Sequence, residues 1–217
     1  MEKIISIAII LNIILYWAYR IYKKRNTQNR EVYIENYKFP TKISETLLIT
    51  YPQLKESDLD LIIKGLKEYF YICNIAGKTM VAMPSQVVDV AWHDFILFTR
   101  EYESFCQQAL GRFLHHTPSE AMHSKILAQD SLKLAWKVSC KRENIDINTP
   151  IKLPLLFALD SILNIENGFK YSLDCNSKNA IGYCAGHIGC SSSGCGGDSG
   201  DSSSGGSGCG SGCGGGS

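Results

Sequence analysis

Apolar and polar positions divide the chain into four unequal stretches. The first is "IISIAIILNIILYWAY", Ile4 to Tyr19, with no charged residue and only Ser6 and Asn12 as polar interruptions. A helix crossing a hydrocarbon layer needs about 20 mostly apolar residues, within a range of about 17–25. Extension through Ile21 and Tyr22, with Arg20 snorkelling, reaches that range. Tyr16, Trp17, Tyr19 and Tyr22 gather at the C-terminal end, as aromatic side chains do at a membrane interface. Arg20, Lys23, Lys24, Arg25 and Arg30 follow with no acid among them. The pattern predicts a retained single-pass transmembrane anchor with a basic flank over residues 1–25. A cleaved signal peptide fits less well, because the n-region is only Glu2 and Lys3 and no small-residue cleavage site follows. A basic flank stays on the cytoplasmic side, so the body of the protein is predicted to be cytoplasmic.

Residues 26–42 are polar and mixed, with Pro40 as a breaker, and read as a linker. Helical spacing dominates from 43 to 172. A short helix is expected near Ile43–Ile49. Ser57 offers an N-cap to a helix in which Leu59, Ile62, Ile63, Leu66 and Phe70 share a face. After a turn at Gly77 and Lys78, Ser85 caps a long helix whose stripe is Val88, Trp92, Phe95, Thr99, Tyr102, Cys106 and Ala109. A bend or break is placed near Glu101–Ser104, and Gly111 is the expected C-cap. Another helix runs from Pro118–Ser119 through Lys141, and "LPLLFALDSILNI" forms a last one ending before Gly168. No alternating strand pattern occurs, and "KTMVAMP" is the one candidate for an isolated extended piece. The fold class is therefore all-α, with a globular domain of about five helices behind the N-terminal anchor.

From residue 173 to 217 the chain turns into a low-complexity tail rich in Gly, Ser and Cys. Glycine loses the most backbone entropy on folding and buries no side chain, so this tail is expected to lack order without a ligand. Composition narrows the partners further. With 22 basic and 21 acidic residues the net charge is +1, which argues against nucleic-acid binding. The membrane and a protein partner remain as expected contacts. Nine cysteines cannot all pair within one chain, and in a reducing compartment they serve as buried residues or metal ligands.

Two groups of residues carry candidate metal chemistry. Asp89 and His93 are four apart, so a carboxylate and an imidazole share one helical face. His115 and His116 are adjacent in "GRFLHHTP". Neighbours on a helix point about 100° apart, so only one of the two is expected to turn inward toward Asp89 and His93. Zinc or iron suits such a His/Asp set, although no H-E-x-x-H or paired C-x-x-C accompanies it. The second group is Cys184, His187, Cys190 and Cys195 in the tail, whose spacing matches no standard zinc module. No phosphate-binding loop, dinucleotide fingerprint or serine-nucleophile elbow occurs.

The stretch "VVDVAWHDFILFTREYESFCQQALGRFLHHTP" resembles the core of the glycine-rich domain-containing protein-like family. The likeness rests on Val88, Asp89, Trp92, His93, Thr99, Tyr102, Phe105, Cys106, Gly111, His115, His116 and Pro118. The Gly/Cys-rich end is similar to that of small bacterial membrane proteins carrying this core. The resemblance implies that Asp89, His93, His115 and His116 belong to one site, and it carries over no catalytic residue. The expected function is a binding or scaffolding module with an Asp/His metal site. A metal-dependent enzyme using the same cluster is the alternative.

Overall fold

A computed structural model describes residues 2–116, 125–173, 183–184 and 188. Among them seven helices appear: α1 (Glu2–Asn36), α2 (Thr41–Thr50), α3 (Glu56–Ala76), α4 (Gln86–Leu97), α5 (Thr99–Leu110), α6 (Lys125–Arg142) and α7 (Leu155–Ile162). Two short strands, β1 (Tyr171–Ser172) and β2 (Tyr183–Cys184), pair in parallel. The all-α class holds among the described residues, with six helices after α1 where about five were expected, because the long helix over 86–110 is split in two.

The transmembrane anchor does not. Among the described residues no helix is long and apolar enough to cross a membrane. The uncharged run of α1, Ile4–Tyr19, is interrupted by Ser6 and Asn12 and closed by Arg20. It rises about 24 Å at 1.5 Å per residue, short of a hydrocarbon core of about 30 Å. The single-pass topology, and the cytoplasmic placement of the body that was built on it, lose their span. The described large apolar side chains of that run are nevertheless exposed, Trp17 at 61% and Ile14 at 57%.

The expected linker is also helical as far as Asn36, because one face of this polar stretch packs on the body. Ile34 is fully buried. Tyr33 and Tyr37 lie against Phe105, with ring centroids 6.0 and 4.6 Å away. The Asn74 amide donates to the Thr27 carbonyl at 3.1 Å, and Lys67 Nζ to the Glu35 carbonyl at 2.6 Å. Arg142, on α6, closes the join. Its guanidinium pairs with Glu31 and Glu68, both at 2.7 Å, and with Glu35, and lies 3.7 Å from the centre of the Tyr71 ring.

α3 is the centre of the body and touches α1, α4, α5, α6 and α7. Ile62, Leu66, Tyr69, Phe70, Ile72 and Cys73 are buried along it. Gly65 permits the close approach of α4 and α7: a Cβ there would run into Leu159 and meet Val88 at 3.0 Å. Next to α3, Tyr37, Phe39, Phe70, Phe95 and Phe105 form one aromatic cluster, with Phe70 and Phe105 at 4.7 Å. Burying rings of this size supplies much of the apolar stabilisation of a domain.

The long helix expected over 86–110 breaks at Phe98, three residues before the predicted bend. Phe98 has φ −79°, ψ 59° and serves as C-cap of α4 and N-cap of α5. The break lets one stripe turn onto two sides of the core: Trp92 and Phe95 from α4, Tyr102, Phe105 and Cys106 from α5, all buried. Ser85 caps α4 as expected, its hydroxyl accepting from Val88 N at 3.4 Å. Gly111 ends α5 in the left-handed region at φ 67°, ψ 19°, where a side chain is disfavoured.

Candidate metal centre

Two separate pieces of chain build the site. α4 presents Asp89 and His93 one turn apart on its outer face, while Ala91, Trp92 and Phe95 fill the inner one. The second piece is the non-helical segment after Gly111. Phe113 and His115 are exposed, Leu114 is buried and His116 is partly covered, so alternate side chains face the body, as in any extended stretch. His116 therefore turns toward α4, and His115 turns away to lie against Phe113 with centroids 4.8 Å apart. Of the two adjacent histidines, the inward one is His116.

The three groups converge. His116 Nε2 is 3.4 Å from Asp89 Oδ1, His93 Nε2 is 3.6 Å from Asp89 Oδ2, and the two Nε2 atoms are 2.8 Å apart. One ligand atom from each residue lies within 4.8 Å of the others. A tetrahedral ion with metal–nitrogen bonds of about 2.0–2.1 Å holds its ligand atoms about 3.3 Å apart. The two carboxylate–imidazole distances are near that value but use different Asp89 oxygens, so the carboxylate would turn to offer one oxygen to the ion. The imidazole pair would open by about 0.5 Å to admit the ion. Without one, a 2.8 Å separation fits a hydrogen bond in which one imidazole donates and the other accepts. Asp89 and His116 are 23% and 21% exposed at the side chain, whereas His93 is 51% exposed, so the cluster opens to solvent past His93.

The surroundings hold His116 more firmly than His93. The Trp92 indole lies edge-on to the His116 ring at 4.8 Å. Its Nε1 donates to the Tyr102 hydroxyl at 3.1 Å, and that hydroxyl donates to the Leu114 carbonyl at 2.6 Å. Burial pushes the Tyr102 phenol and the Cys106 thiol above their ordinary values, and Cys73 up to about 12. All three stay protonated at neutral pH and act as hydrogen-bonding groups rather than anions. Beside the site, burial also pushes the Asp94 carboxyl up, partly countered by His93, and Asp94 Oδ2 is buried without a hydrogen-bond partner.

Asp160 on α7, 3% exposed, fixes the start of α4. Oδ1 accepts from the Ser85 hydroxyl at 2.7 Å and Val87 N at 3.2 Å; Oδ2 accepts from Gln86 N at 2.7 Å and Phe169 N at 2.8 Å. A carboxylate at a helix N-terminus satisfies amides that have no partner within the helix and suits the dipole. Sequence reasoning passed over this residue. Its signal was a lone acid inside the apolar run "LLFALDSIL".

Of the tail group, only the backbone of Cys184 is among the described residues. Cys184 belongs to β2 through its backbone, and His187, Cys190 and Cys195 lie outside the described residues. Two surface grooves of about 590 and 430 Å³ are lined by Lys64, Glu68, Arg142 and Leu153 and by Tyr51, Gln53 and Glu166, among others; Asp89, His93 and His116 line neither.

The model of the UCP032817-like family matches residues 29–190, well over half of the chain. The chain belongs to the UCP032817-like family. The matched span begins after the apolar part of α1 and takes in both pieces of the Asp89/His93/His116 site. No curated protein matches the chain, and neither does any solved structure. The family description names no activity, and the match says nothing about the resemblance to glycine-rich domain-containing proteins.

Proposed function

We propose that the chain is a helical binding module that holds a divalent transition metal through Asp89, His93 and His116. The observation that carries this reading is the convergence of three ligand atoms within 4.8 Å from segments 23 residues apart. Two imidazoles and a carboxylate suit zinc or ferrous iron. The metal joins α4 to the segment leading away from α5, so it stabilises the fold while leaving coordination positions free toward solvent.

A metal-dependent enzyme draws on the same geometry, since catalytic zinc sites keep three protein ligands and one open position. The binding reading is put first because it needs no cleft, and the two surface grooves are lined by other residues.

The test is elemental analysis and zinc competition on the purified protein, with Asp89→Ala, His93→Ala, His116→Ala and His115→Ala compared. The first three variants lose the bound metal and His115→Ala keeps it. Zinc at 100 times its Kd raises stability by about 2.7 kcal/mol, and a chelator removes that gain. A parent protein without metal, indifferent to both zinc and chelator, contradicts the proposal.

A further inference from the structure

We infer that Tyr102 is the positioning residue of this metal centre, setting the place of His116 through two neighbours that are not ligands. The inference rests on the metal-binding reading and adds to it the device that assembles the site.

His93 and Asp89 are placed by the helix that carries them, but His116 stands on a non-helical segment six residues past the end of α5. Something other than helical hydrogen bonding must fix it. Leu114, two residues earlier, is held through its carbonyl, which accepts from the Tyr102 hydroxyl at 2.6 Å. The same hydroxyl accepts from Trp92 Nε1 at 3.1 Å, which orients the indole, and the indole edge rests on the His116 ring. One buried hydroxyl therefore ties the backbone leading to His116 to the ring that supports it. Tyr102 is 1% exposed, so no water replaces it at low cost. Groups that orient ligands in this way commonly alter metal affinity by 10–100-fold when removed.

Phenylalanine keeps the ring of Tyr102 in the core and deletes only the hydroxyl. Tyr69→Phe is the matching control. Tyr69 is also buried, its hydroxyl donates to the Val81 carbonyl at 3.2 Å, and its ring lies 5.0 Å from Trp92. Among the described residues it has no hydrogen bond to the segment bearing His116. Tyr69→Phe loses one buried hydroxyl bond and Tyr102→Phe two, and only Tyr102→Phe loosens Leu114 and frees the Trp92 indole.

The experiment measures zinc affinity by chelator competition and the cobalt absorption spectrum for the full chain, Tyr102→Phe, Tyr69→Phe, His116→Ala and the Tyr102→Phe/His116→Ala double variant. Tyr102→Phe is expected to weaken zinc binding at least 10-fold and shift the cobalt bands, while Tyr69→Phe stays within about threefold of the parent. Any weak binding left in His116→Ala is expected to be unchanged by adding Tyr102→Phe, because the hydroxyl acts through His116. Equal affinity in Tyr102→Phe and the parent, equal losses in the two phenylalanine variants, or a further loss in the double variant overturns the positioning role and leaves the metal site standing. A parent that binds neither metal overturns both.

Discussion

Replacing Asp160 tests how the site's supporting helix is held. In Asp160→Ala, the amides of Gln86, Val87 and Phe169 and the hydroxyl of Ser85 lose one common acceptor. A buried donor left unsatisfied costs about 1–3 kcal/mol, so three amides set a gross loss of about 3–9 kcal/mol. Two effects reduce it. The buried carboxylate no longer carries its desolvation cost, and the only partly buried Gln86 amide can meet water. A net loss of about 3–5 kcal/mol follows, as when one partner of a buried charge-assisted pair is removed. For a chain of this size that lowers Tm by about 6–20 °C. Asp160→Asn keeps the shape. Its amide oxygen can replace Oδ2 and serve Gln86 and Phe169, which leaves one donor–donor conflict at Val87, so its cost is smaller, about 1–3 kcal/mol. Urea unfolding followed by circular dichroism at constant m-value measures both. A loss under about 1 kcal/mol in Asp160→Ala, or a greater loss in the asparagine variant, would refute the reasoning.

Three further substitutions probe separate features. Gly111→Ala places a Cβ in a left-handed residue at φ 67° and against the Arg30 guanidinium; it should cost about 1–2 kcal/mol in thermal or urea unfolding. Asp94→Asn should stabilise the protein at neutral pH. Burial raises the folded-state pKa of this carboxyl, so the folded protein binds the proton more tightly and loses stability as pH rises through the raised value. The advantage of asparagine should vanish below the ordinary carboxylate pKa, and a pH-independent difference would count against it. Arg142→Met strips Glu68 of its counter-ion. A loss of about 1–3 kcal/mol is expected at pH 7. It should shrink on acidification, since burial already raises the Glu68 carboxyl and protonation then becomes the favoured state.

Most local signals were legible in the sequence, with one exception: Ser57, expected as an N-cap, lies inside α3, whose N-cap is Lys55 and whose Asp58 carboxylate accepts from the Lys55 backbone N–H. Ser85 and Gly111 were recognised as caps because hydroxyl capping and left-handed glycine are properties of a few consecutive residues. The i, i+4 spacing placed Asp89 beside His93, and adjacency required His115 and His116 to diverge. Choosing between those two depended on the Leu114–Tyr102 bond, which links positions twelve apart, and spacing does not encode it. The break at Phe98 followed from burying one stripe on two sides of a core, so it was sensed but misplaced. Residues 26–36 looked like a linker because only Ile34 and two tyrosines mark the packed face, and the rest is held by Arg142, over a hundred residues away. The apolar start was read as a span from hydropathy, yet it forms part of a helix that continues through the basic cluster into the body.

The most direct test of the metal site is diffraction at the zinc absorption edge from crystals grown with the metal. The account predicts one anomalous peak about 2.0–2.2 Å from His93 Nε2, His116 Nε2 and an Asp89 carboxylate oxygen, with His115 unliganded. No peak at saturating zinc, the two imidazoles still hydrogen-bonded to each other, or a peak centred on His115 would contradict it.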